Sequence, residues 1–180
     1  MQDEVLIVGG GVAGCAVSIA LARKGRSVTL IEREPTPRHK VCGEFLSGEA
    51  LEDLHALGID VAALGAVPID YVRLAAARRA AEAPLPFHAA SLTRKALDTA
   101  LIAEAIAAGV SVQRGRGVQS LSRTTTNLWQ ATLDDGTSYE APNGLSRYGQ
   151  ARSARTRASE EPSPMGCLQD VLPAVSRADS

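Results

Sequence analysis

Aromatic side chains are scarce in this 180-residue chain, with two Phe, three Tyr and one Trp making up 3% of it. The core must therefore be built from aliphatic residues. A net charge of −1 provides no overall field to draw nucleic acid or an anionic membrane. Cysteine is equally sparse. Cys15, Cys42 and Cys167 form neither a CxxC pair nor an even disulfide framework, which fits a reducing cytoplasm. His39, His55 and His88 show no metal-ligand spacing, and no metal is expected. One apolar stretch, residues 5–22, runs 18 residues without a charge, the short limit for a membrane span. Gly9-Gly10-Gly11 and Gly14 break it as a helix, and Asp3 and Glu4 stand where a signal peptide carries basic residues. This stretch is not expected to be a membrane anchor.

What is present is aliphatic and periodic. Residues 4–8 form a short, mostly apolar β-branched run of the kind buried in parallel sheets. The pattern turns helical over 12–24 and stops at Gly25, and residues 27–32 form a second strand. Strand, glycine turn, helix and strand together make one βαβ unit. A basic, proline-containing loop follows at 33–43. The pattern then predicts a helix over 49–57, an antiparallel pair from 71–77 and 85–88, and a helix over 93–108 with Leu97, Leu101, Ile102, Ala105 and Ile106 on its apolar face. A third parallel strand is expected at 110–113. A meander should follow at 118–121, 128–133 and 138–141, its last turn supplied by Asp134 to Thr137.

Gly9, Gly11 and Gly14 have the spacing G-x-G-x-x-G between a strand and a helix. The first glycine permits the tight turn, the second lets a pyrophosphate approach the backbone, and the third lets helix and strand pack closely. The free N–H groups at the helix start then hold phosphate charge. Glu32, 18 residues beyond Gly14 and at the end of the second strand, is placed to accept hydrogen bonds from an adenosine ribose. Its charge repels a 2′-phosphate, which argues against NADP at this position. The βαβ unit by itself leaves FAD and NAD both open.

Beyond that unit the chain resembles the FAD-dependent oxidoreductases that include geranylgeranyl reductases and aromatic-ring monooxygenases. Four stretches carry the resemblance: VLIVGGGVAGCAVSIALARKGRSVTLIERE, PRHKVCGEFLS, SLTRKALDTALIAEAIAAGVSV and GRGVQSL. The resemblance covers residues 4 to about 140. It implies an α/β, Rossmann-like FAD-binding domain with an antiparallel meander over residues 1–140. FAD would be held by Gly9, Gly11, Val12, Ala13 and Gly14, by Glu32 and Arg33, by Cys42 and Gly43, by Arg94, and by the backbone at Val118. It further implies NAD(P)H as electron donor and a hydrophobic or aromatic small molecule as substrate. Read from the residues alone, Arg94 could instead pair with Asp98 one turn on. Cys42 could be a packing cysteine, and Glu44 could cap the helix that follows it.

No residue reads as a general acid, base or nucleophile, so no catalytic position is assigned. The later Gly-Asp motif of the resembled family is absent, and so are the strands that would complete a flavin pocket. The expected reading is thus a shortened oxidoreductase, with a non-catalytic nucleotide-binding remnant and an NAD-dependent dehydrogenase domain as alternatives. Nothing in the chain reads out an oligomeric state.

Residues 141–180 change texture to six Ser, five Arg and four Pro without periodicity, as expected of a disordered tail. Its arginines lack the interleaved aromatics of a nucleic-acid surface. Permitted codons for residues 146–156, read one nucleotide later, spell Leu-Ala-Thr-Gly-Lys-His-Asp-Leu-Arg-Gly. That string resembles the segment with which some members of the same family follow this strand, as an out-of-frame tail would.

Overall fold

The computed structural model describes residues 4–40, 44–76 and 79–146. Along them run β1 (Val5–Val8), α1 (Val12–Arg23), β2 (Val28–Glu32), β3 (Phe45–Leu46), α2 (Gly48–Ala56), β4 (Val67–Pro68), β5 (Tyr71–Ala76) and β6 (Arg79–Pro84). Then come β7 (Ala90–Ser91), α3 (Arg94–Ala107), β8 (Ser111–Arg114), β9 (Val118–Arg123), β10 (Trp129–Leu133), β11 (Ser138–Ala141) and β12 (Asn143–Ser146).

The central sheet has the order β12-β1-β2-β8 and is parallel throughout. Its strands alternate their side chains between two covered faces. Val5, Ile7, Val28 and Leu30 meet Cys15 and Ile19 of α1 and Leu97, Leu101, Ile102 and Ala105 of α3. On the opposite face Leu6 and Ile31 meet Ala131, Leu133 and Ala141 of the antiparallel meander β9-β10-β11. Burial on both faces is why β1 is an unbroken apolar run and why Val28, Leu30 and Ile31 of β2 are interrupted only by the buried Thr29. Helix layer, parallel sheet and meander make the α/β, Rossmann-like architecture that the sequence predicts.

The helices are punctuated as their sequences suggest. The Ser47 side chain accepts from the Ala50 N–H at the start of α2, and Thr93 accepts from Ala96 at the start of α3. Arg26, Ile59 and Val110 each donate back five residues, to Leu21, Leu54 and Ala105, closing the three helix ends.

Several expectations are corrected. The partner of β5 is residues 79–84, not 85–88: the register pairs Ala76 with Arg79 and Tyr71 with Pro84. Ile106 lies off the apolar face of α3 and is 58% exposed, while the charged Asp98 occupies the buried face. Glu44 does not cap α2: Ser47 does, and Glu44 sits three residues earlier at φ +54. A strand also extends past the expected end of order at residue 140, for β12 pairs in parallel with β1, Val5 opposite Asn143. Its Asn-Gly start has little strand propensity. The register is supported by Asn143 Nδ2, which donates to the Glu4 carbonyl at 3.2 Å, and by Leu145 packing on the core. The tail from residue 147 on, with the expectations of disorder and out-of-frame origin placed on it, lies outside the described residues.

Candidate nucleotide site

β1 delivers the chain to the glycine loop at the C-terminal edge of the sheet. The order β12-β1-β2-β8 reverses direction beside β1, since β2 lies on one flank and the later β12 on the other. Open α/β sheets bind ligands outside the carboxyl ends of their strands at such a reversal.

The three motif glycines have separable reasons. Gly9 turns out of the strand at φ +107, a left-handed value that side chains rarely adopt, and its N–H donates to the Ile31 carbonyl at 2.8 Å. At Gly14 a Cβ would come within 1.9 Å of the Gly9 carbonyl oxygen, so helix and turn touch backbone to backbone. Gly11 is different. A Cβ there would meet nothing within 4 Å, and its φ of −79° suits any residue. No neighbouring atom of the described residues requires glycine at position 11, and the space before it is open.

Helix α1 begins beside that space with Gly11 as N-cap. Among the described residues no side chain caps it, in contrast to α2 and α3, and no acidic residue lies in its first turn. The N–H groups of Val12, Ala13 and Gly14 thus belong to a helix start that offers positive charge to an anion. Opposite stands Glu32. Its Oε2 accepts from the Gly10 N–H at 2.5 Å and its Oε1 from the Glu34 N–H at 2.8 Å, which holds the carboxylate at the rim of the loop. A Cβ at Gly10 would lie 2.9 Å from Glu32 Cβ, so this glycine too is required. Sequence reasoning left out Gly10, although its place inside Gly9-Gly10-Gly11 was a signal.

Other expected site residues fall around this centre. Arg33 is exposed and pairs with Glu34 at 3.6 Å, and Gly117, next to Val118, lies against it. The Arg116 N–H donates to the Glu32 carbonyl at 3.3 Å, so the segment leading into β9 runs beside the end of β2 and brings Val118 to the same edge. Arg94 forks onto Asp98, with Nε and Nη2 donating to Oδ1 at 3.2 and 3.0 Å. Cys42 and Gly43 lie outside the described residues. Lys40 and Arg114, which sequence reasoning missed, join the site together with Asp98, which it had named only as a partner for Arg94. Lys40, Asp98 and Arg114 line one small cavity with Gly10 and Glu32. Asp98 alone had left a signal, a charge at an apolar position of the helical period.

Cys15 lies beneath the loop, fully buried, its Sγ 3.3 Å from the Gly10 carbonyl. Burial, with the negative charges of Asp98 and Glu32 behind it, pushes this thiol up to about 12. It stays protonated at neutral pH and is no nucleophile. Among the described residues no group of three or more His, Cys, Asp or Glu is placed to hold a metal ion, and no helix is long and apolar enough to cross a membrane.

The donor set fits a dinucleotide: an uncapped helix start with open space before it for a diphosphate, and a carboxylate one strand away for a ribose. Comparison with known proteins agrees. The family described as "FAD binding domain" matches residues 2–141. The squalene epoxidase of Schizosaccharomyces pombe is 39% identical over 59 residues, 32% of this chain and 13% of that enzyme. The menaquinone reductase of Mycobacterium tuberculosis (strain H37Rv) is 43% identical over 56 residues, 31% of this chain and 14% of that enzyme. In fold, the flavin-dependent monooxygenase PieE, solved with FAD and substrate, superposes with a TM-score of 0.66 at 22% identity over 81% of this chain and 30% of its own. 2-Methyl-3-hydroxypyridine-5-carboxylic acid oxygenase superposes with a TM-score of 0.69 at 24% identity, over 80% of this chain and 38% of its own.

Proposed function

Since this chain belongs to the FAD-binding-domain family, we propose that it holds FAD by the ADP half and forms the nucleotide-binding part of an oxidoreductase of the reductase or monooxygenase type. One observation carries the reading: Gly11, which the protein's own packing does not require, faces open space at an uncapped helix start with Glu32 one strand away. In the bound state the α1 N–H groups take the diphosphate. Glu32 exchanges part of its backbone contacts for a ribose hydroxyl, and Arg33, Arg94 and the backbone at Val118 complete the contact; the resemblance adds Cys42 and Gly43, which lie outside the described residues. FAD supplies the redox chemistry when bound, and the protein's part is to orient and enclose it.

The chain spans about an eighth of the length of the two curated relatives above and about a third of the two solved structures. Activity and substrate are therefore part of the proposal. NAD(P)H serves as electron donor, and relatives named for squalene and menaquinone support a hydrophobic or aromatic substrate. A cytoplasmic setting accords with the free thiol of Cys15.

The second reading is a non-catalytic nucleotide binder. It draws on the nature of the assembled groups, a helix start and ion-paired side chains suited to holding an anion. Thermal denaturation with FAD, ADP and NAD tests the first reading: FAD and ADP should both raise the midpoint. Stabilisation by NAD alone would overturn it. Oxidation of NAD(P)H by the FAD-loaded protein separates enzyme from binder.

A further inference from the structure

Asp98 is the charged residue on the buried face of α3. It is 3% exposed among Leu97, Leu101, Ile102 and Ala105. An unpaired carboxylate in such a place is costly, so its partners carry the explanation. Oδ1 accepts from Arg94 Nε and Nη2, and Oδ2 accepts from Lys40 Nζ at 2.6 Å. Arg94 opens the same helix. Lys40 comes from the loop after β2, 58 residues earlier in the chain. One buried carboxylate thus ties the first turn of α3 to the loop that leaves the Glu32 strand.

The knot lies at the phosphate loop. Lys40 and Asp98 line the same cavity as Gly10 and Glu32. In that lining Glu32, Glu34 and Asp98 balance Arg38, Lys40 and Arg114. Arg94 then adds a further positive charge to the knot. Two long cationic side chains that would otherwise sample many rotamers are held before any ligand arrives, which lowers the entropy lost on binding an anion.

We propose that Asp98 is a positioning residue for the nucleotide diphosphate, fixing Arg94 and Lys40 beside the start of α1. This rests on the nucleotide-binding reading above. It makes a prediction opposite in sign to simple charge counting. Asp98→Asn makes the site more positive by one unit, so unplaced charge alone would tighten binding of a diphosphate. Loss of positioning weakens it instead.

The test is calorimetric titration of the full chain with ADP and with AMP. Asp98→Asn should bind ADP about tenfold more weakly or worse, the scale of a lost charge-assisted hydrogen bond, and the preference for ADP over AMP should shrink. A purely structural role would lower both affinities alike. Asp98→Glu keeps the charge but moves the carboxylate by one methylene, and should lie between wild type and Asp98→Asn. It also carries the test if Asp98→Asn does not fold. Wild type that binds neither ADP nor FAD overturns the nucleotide reading and this inference with it. Wild type that binds ADP, beside variants that bind it equally well or with an unchanged preference over AMP, overturns the role of Asp98 alone.

Discussion

Gly11 and Gly14 stand three residues apart, yet their substitution should separate binding from stability. Gly11→Val places a side chain in open space on an extended backbone, so the melting temperature should change little while ADP and FAD binding disappear. Gly14→Ala drives a methyl group into the Gly9 carbonyl and should destabilise the fold by about 1–3 kcal/mol or more, the usual scale of overpacking, seen as a lower urea midpoint. Glu32→Gln should weaken ADP binding more mildly than Gly11→Val. Cys15 gives a pH-dependent outcome. Its thiol titrates at about 12 when folded against 9.0 in the free state, so the native protein keeps a proton that the unfolded chain gives up. That contribution to stability is complete below pH 9 and is lost as pH rises from 9 towards 12. Urea denaturation at pH 8 and pH 10.5 should show the fall, and Cys15→Ala should flatten it.

At the scale of elements, the meeting of β12 with the meander can be read through Trp129, the chain's one tryptophan. Arg123 covers one side of its ring, 4.6 Å from the centroid, and Gly144 of β12 comes so close that a Cβ would lie 2.7 Å from the ring. Gly144→Val should therefore displace the indole and shift its emission to longer wavelength; unchanged emission would place β12 elsewhere. The elements that were legible in sequence are those whose periodicity is local: β1, α1 and β2 with their glycine turn, the helix starting after Thr93, and the meander with its Asp-Gly turn. Those that were not legible depend on distant partners. β12 has a polar, flexible start and becomes a strand through the edge that β1 offers it. The hairpin was recognised by its first strand, but alanine-rich residues 79–84 have no alternation to mark the second. In the site, the glycines and Glu32 were readable from spacing, whereas the Lys40–Asp98 pair spans 58 residues that no periodicity connects.

At the scale of the molecule, the β5–β6 hairpin is the most exposed pair of strands among the described residues. Every described residue in it is exposed, with Tyr71 and Leu74 about two-thirds or more accessible. An isolated two-stranded ribbon is marginal in water, and its open edges invite pairing between molecules. Leu74→Lys should reduce light scattering at high concentration without changing ADP affinity or the melting temperature. The gene offers a separate check on residues 141–180: an out-of-frame origin starting near residue 141 predicts that the reading one nucleotide later continues into a Gly-Asp motif. The pairing of β1 with β12 has its own consequence, which concerns time. Val5 is opposite Asn143, so during synthesis β1 has that flank uncovered until residues 143–146 have been made. Contacts of such long sequence separation form slowly. The phosphate loop hangs from that strand, and its competence to bind should appear as a late step of refolding, after the helical signal has already recovered.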